Sequence, residues 1–222
     1  MSLFKKSTGK STLKPVKSQA TDRRATLSNY TKRTLGSGNL RAAVKVPEGE
    51  DVNEWIAANT VDFYNELSLL YGLAADDAKR FTKPGEGFPP NFEYRWADSA
   101  TKKALRVSSP EYVDYVMTWI EDQIDNEEIF PVSEAQPFPD DFRDYILDIF
   151  KKMFRIFAIL YHQHFTVIED LGAAAHLNTC FKHFMFFMFE FDLAPENKEI
   201  LALEGPVDRL RTQYEDQGDD DN

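Results

Sequence analysis

Three cations in the stretch FKKMFRIFAILYHQHF, Phe150 to Phe165, have the types and spacing to bind an anion: Lys151, Lys152 and Arg155. On a helix, 151 and 155 are i,i+4 neighbours and 152 and 155 are i,i+3 neighbours, so their charges gather on one patch. Clustered Lys and Arg can give a dianionic phosphate several charge-assisted hydrogen bonds. The same cations follow Asp144 and Asp148 at helical spacings, and acid-before-base pairs commonly do no more than solvate a helix face. Spacing alone favours that plainer reading.

Other chemistry is thinly represented. His162, His164, His176 and His183 all fall in the apolar half of the chain and invite a metal. Yet His162 and His164 are two apart, which turns them to different faces of a helix, and no HExxH or paired-carboxylate motif accompanies them. Buried histidines bonded to a carbonyl or carboxylate account for them better, and a metal-assisted hydrolase is disfavoured. Cys180 is the single cysteine, which excludes an intramolecular disulfide and any CxxC-type zinc or redox site. GxGxxG, Walker, GxSxG and kinase signatures are absent, so no catalytic residue is predicted. Thr12 in KSTLKP and Thr34 in KRTLGSGNL stand beside basic residues, where phosphorylation would put about two negative charges into a basic arm. Ser and Thr are also simply abundant in disordered tails.

The patch must be carried by a helix that starts near Asp140 or Asp141 and bends or ends around His162 to Thr166. Phe150, Met153, Phe154, Phe157, Leu160, Tyr161 and His164 form its apolar stripe, which needs other helices to cover it. One is predicted from about Asn53 to Tyr71, capped by Asp51 or Asn53. Another opens at Ser109-Pro110-Glu111, with Pro in its first turn. A third, from His176 to Asp192, is apolar almost all round, as a central bundle helix must be. A further helix begins near Thr166, and KEILALEG and PVDRLRTQY close the body. LRAAVKVPEG reads as an extended connector. Residues 72–92, the densest Pro and Gly cluster, read as loop, and FEYRWADS and KKALRVSS as a small hairpin.

At 222 residues the chain fits one core with tails. Residues 1–33 hold nine basic residues against Asp22 alone, a net +8, so the remainder carries −19 of the total −11. They form a basic, mostly disordered regulatory arm; residues 34–205 form the helical domain, and 206–222 a short helix and acidic tail. An acidic body disfavours nucleic acid as main ligand and favours a basic partner surface. No apolar run is long enough for a signal peptide or transmembrane segment, so the expected compartment is the cytoplasm, with the nucleus and division structures as further sites.

The blocks LGSGNLRAAVKVPEGEDVNEWIAANTVDFYNELSLLYG, FEYRWADS, SSPEYVDYVMTWIEDQIDNEEIFP, KKMFRIFAILYHQHF and HLNTCFKHFMFFMFEF, in that order and spacing, closely resemble the Mob (Mps one binder) family of kinase coactivators. The resemblance covers roughly Thr34 to Leu203. It implies a mainly α fold, a four-helix bundle core with additional helices and a small β-hairpin between disordered tails. It also implies a noncatalytic adaptor of Hippo-type and mitotic-exit pathways. Such a protein docks the N-terminal region of an NDR/LATS-type kinase on an acidic surface and a phosphorylated Ste20-like kinase or scaffold in a basic pocket. Lys151, Lys152 and Arg155 match the family's phosphothreonine-binding cations, which reverses the preference drawn from spacing. Glu50, Glu54, Trp55 and Asp62 match the kinase-binding surface, and Thr12 and Thr34 the regulatory phosphorylation sites. The alternative is a division or cytoskeletal scaffold of the same fold that activates no kinase.

One departure is large. Members of the family bind a structural zinc through two cysteines before the FEYRW-like segment and two histidines in the long helix. Here the loop has no cysteine, Ile159 occupies the first histidine position, and only His164 remains. A single ligand cannot hold a structural zinc. The expectation is a zinc-free protein without cofactor, its 72–92 loop pinned by Phe81, Phe88 and Phe92.

Overall fold

The computed structural model describes residues 39–97, 103–133 and 135–219. Its core is built on four long helices: α2 (Val52–Ala78), α3 (Ser109–Ile124), α4 (Phe142–Ile159) and α6 (Ala174–Glu190). Between them lie the two-residue strands β1 (Arg95–Trp96) and β2 (Leu105–Arg106), antiparallel, with Arg95 opposite Arg106. A π-helical turn, Leu160–His164, joins α4 to the short α5 (Phe165–Asp170). α7 (Asn197–Ile200), a single 3-10 turn and α8 (Glu204–Asp219) follow.

The core is aromatic and interdigitated. Phe150 of α4 stacks on Phe184 of α6 with centroids 5.2 Å apart, and Phe63 of α2 meets Phe150, Phe184 and Phe187 edge-on. Such pairs add specificity to an area term that alone favours burial of any large apolar side chain. The mainly α four-helix core and the small hairpin stand as expected.

Boundaries differ in three places. The predicted extended connector contains a helix, α1 (Leu40–Val44), because Asn39 caps it by accepting from the Ala42 N–H at 2.9 Å and α6 and α8 cover it. Arg41 ties α1 to α8 through the Tyr214 carbonyl at 2.8 Å, and Gln217 Oε1 accepts from the Arg41 N–H. α2 runs seven residues beyond Tyr71, since Ala74 and Ala78 are buried and tertiary packing outweighs the cost of Gly72. α8 is longer than a short helix before a tail: it starts at Glu204, and Gly218 and Asp219 belong to it. Tyr214 packs it on Phe186 and Phe189 of α6.

The loop after α2 is tied to the body at several points. Phe88 is buried against Tyr94 and Tyr112, Phe92 packs on Tyr94, and Phe81 stands 6.0 Å from the His164 ring. Hydrogen bonds also contribute: the Gly85 N–H donates to the Val107 carbonyl at 2.8 Å, and Gln163 Nε2 to the Phe88 carbonyl at 2.7 Å. No helix among the described residues is long and apolar enough to cross a membrane.

Candidate functional site

The π turn sets the end of α4, and the turns before it carry the cations. Arg155 projects toward α3, where its Nη1 donates to the Tyr112 hydroxyl at 3.0 Å. Its Nε donates to Glu199 of α7 at 3.0 Å, and Nη2 reaches the other oxygen of the same carboxylate, so the planar fork is held bidentately. The guanidinium also lies over the Tyr94 ring, 5.0 Å from its centroid. Burial alone would lower the Arg155 pKa, but the hydrogen bonds it donates to Glu199 and Tyr112 outweigh it and the group is held more firmly charged than usual.

Lys151 and Lys152 share Asp148. Lys151 Nζ approaches one carboxylate oxygen at 2.7 Å, while Lys152 Nζ donates to the other and lies 4.3 Å from the centre of the Trp119 ring. Lys152 is buried, and this pushes its amine pKa down, with Asp148 acting in the opposite direction. Burial would raise Asp148, yet the hydrogen bonds from Lys151 and Lys152 keep it below the usual carboxylate range. The three cations therefore divide between two carboxylates, Asp148 and Glu199. The pairing with Asp148 is the one that helical spacing foresaw.

A cleft of about 390 Å³ opens beside Arg155, lined by Phe92, Glu93, Tyr94, Arg95, Lys198 and Glu199 as well. Arg95 and Lys198 thus add cations that sequence reasoning missed. Arg95 was visible only as a strand residue, and Lys198 lies 43 positions from Arg155, a distance over which spacing carries no information. Tyr112, Tyr94 and Glu199 were missed for the same reason.

The proposed acidic face belongs to α2 and the residue before its cap. Glu50 and Asp62 are half-buried, whereas Glu54 is buried at 7% exposure, a correction to its expected place on an open surface. Trp55 is a correction: it is fully buried, its indole Nε1 donating to the Val44 carbonyl at 2.9 Å, so it supports the face from beneath and offers no contact area. Acids of α3 extend the negative charge. Burial, and then the charges of Glu121, Asp125 and Asp122, push the Tyr64 hydroxyl of α2 up, and Glu121 is itself shifted up by burial and by its neighbours Asp125 and Asp122. Thr12 and Thr34 lie outside the described residues.

His164 does not fit a tetrahedral zinc site. Its Nδ1 lies 2.7 Å from Asp77 Oδ2; an ionised carboxylate only accepts, so the ring donates from Nδ1. The rings of Tyr71 and Phe81 meet it edge-on, and Arg80, ion-paired to Asp77, donates to the Gln163 carbonyl at 2.7 Å. A hydrogen-bonded pair and aromatic packing stand where a metal would need three more donors. His162 bonds the Ala202 carbonyl at 2.7 Å, as a packed histidine should.

The family model described as Mob1/phocein matches residues 32–203. A protein of Medicago sativa subsp. falcata named MOB kinase activator-like 1A is 48% identical over 213 residues, 95% of this chain and 99% of its own length. MOB kinase activator-like 1A of Arabidopsis thaliana is 45% identical over 216 residues, covering 96% of this chain and all of its own. MOB kinase activator-like 1 homolog A of Dictyostelium discoideum is 46% identical over 201 residues, 90% and 92% of the two chains. With its helical core, capped entry helix and hairpin in the matched span, this chain belongs to the Mob1/phocein family.

Proposed function

We propose that the chain is a noncatalytic adaptor and coactivator. It docks the basic N-terminal region of an NDR/LATS-type kinase on the acidic α2–α3 face and a phosphothreonine segment of a Ste20-like kinase or scaffold in the cleft beside Arg155. The observation that carries the second half is the guanidinium fork of Arg155, already engaged by a carboxylate at the wall of a cleft that also holds Arg95 and Lys198. A phosphate presents the same planar pair of acceptors with greater charge, so the fork that binds Glu199 is built to accept it. Membership in a family whose relatives are named kinase activators supports the first half.

The two halves are tested separately. By fluorescence anisotropy, a phosphothreonine peptide should bind at least tenfold more tightly than its unphosphorylated twin, and Arg155→Ala should remove most of the difference. Equal affinities of the two peptides would overturn the phosphate assignment. In pull-down of an NDR/LATS-type kinase, Glu50→Lys should weaken association and steepen its salt dependence while leaving peptide binding intact. Unchanged capture would remove the kinase from the α2–α3 face.

A further inference from the structure

Three donors of different chemistry meet between α2 and α6, with Glu66 one helical turn beyond Asp62 of the acidic face. His176 and Cys180 stand one turn apart on α6, on the same side, and Glu66 of α2 faces them. His176 Nε2 lies 3.1 Å from Glu66 Oε2, Cys180 Sγ lies 3.6 Å from that same oxygen, and Sγ and Nε2 are 3.8 Å apart. One atom of each side chain thus forms a small triangle.

We propose that Glu66, His176 and Cys180 form an exchangeable site for zinc or a cation of similar size and softness. A tetrahedral zinc holds sulfur at about 2.3 Å and nitrogen or oxygen at about 2.0–2.1 Å, which spaces its S···N and S···O ligand pairs about 3.5 Å apart and its N···O pair about 3.3 Å apart. The observed triangle departs from those edges by roughly 0.3 Å at most, within ordinary side-chain adjustment. Thiolate, imidazole and carboxylate together select zinc or cobalt over magnesium or calcium. His176 and Glu66 are half-exposed, their side chains 54% and 44% accessible, so a cation can enter and water can complete the shell. Cys180 is more enclosed and packs against the core, which fixes the sulfur.

Without a cation the thiol keeps its proton. Burial, then the charge of Glu66, pushes Cys180 up to about 12, and the S–H donates to the Glu66 carboxylate. A divalent ion replaces that proton: an S–M bond forms, the S–H bond breaks, and one proton leaves to solvent per ion bound. Composition and spacing did not reveal the site, because Glu66 lies 114 positions from Cys180.

Cobalt(II) titrated into the full, tag-free chain tests the assignment. Expected are a thiolate-to-cobalt charge-transfer band, the visible bands of a four-coordinate ion, release of one proton per ion in weak buffer, and reversal of the bands by zinc. Cys180→Ser, nearly isosteric and checked for fold by circular dichroism, should abolish the charge-transfer band. His176→Ala should weaken zinc at least tenfold. Absence of the band in the wild-type chain, or a cobalt response unchanged in Cys180→Ser, would reduce the cluster to a hydrogen-bonded ion pair and overturn the proposal.

Discussion

Arg155 is neither an exposed surface charge nor an empty receptor. Its guanidinium is bridged to Glu199 and Tyr112, so an incoming phosphate must displace a carboxylate that already satisfies the fork. Charge-assisted pairs of this kind are worth about 1.5–3 kcal/mol when partly shielded from water. Glu199→Gln keeps the shape and removes the competing charge, and should tighten phosphothreonine-peptide binding about tenfold by anisotropy. Unchanged or weaker binding would place the phosphate elsewhere. At this scale the sequence was half legible. Lys151, Lys152, Arg155 and the pairing partner Asp148 follow from local helical spacing. Glu199, Tyr112 and Tyr94 arrive from other elements, and only the tertiary fold brings them to the guanidinium. The burial of Trp55 was equally invisible, since an aromatic residue near a helix start reads the same whether it anchors a partner or the helix itself.

Elements were easier to read where they were long and periodic. α3, α4 and α6 follow from their apolar stripes and start signals, and the interruption near His162 to Thr166 appears as the π turn. Short or glycine-flanked elements were not readable: α1 depends on its Asn39 cap and its cover by α6 and α8, and the end of α2 depends on burial of Ala74 and Ala78. The loop after α2 is where glycine identity matters most. Gly87 has φ +82°, and a Cβ there would run into Ser109 Oγ and lie 2.7 Å from Phe81 Cδ2. Both the backbone angle and the space exclude a side chain. Gly87→Ala should lower stability by at least about 2 kcal/mol in urea denaturation, from strain and from displacement of the first turn of α3. Wild-type stability in this variant would mean that the loop is not held to the body.

For the molecule as a whole, two buried histidines make the core sensitive to acid. His183 is buried against Phe63, ring centroids 4.7 Å apart, and burial pushes its pKa down to about 4. The unfolded chain takes up that proton near pH 6.5, so the full stability is present above that value and is lost as pH falls toward 4, by about 3 kcal/mol. His164 is shifted the same way, burial outweighing the pull of Asp77. His183→Phe should therefore flatten the dependence of the urea midpoint on pH between 7 and 5. An unchanged slope would assign the acid sensitivity to other groups.

The contacts of Arg41 make the two ends of the described domain one unit. Its side chain donates to the carbonyls of Tyr214 and Glu215 and lies over the Tyr214 ring, while its own N–H is accepted by Gln217. Terminal helices ordinarily fray independently, each with its own small opening free energy. Here α1 cannot peel away without breaking its bonds to the last turns of α8, which α6 also holds through Tyr214. A protease or exchange probe that senses opening of α1 therefore also reports the loss of one of the two supports of α8.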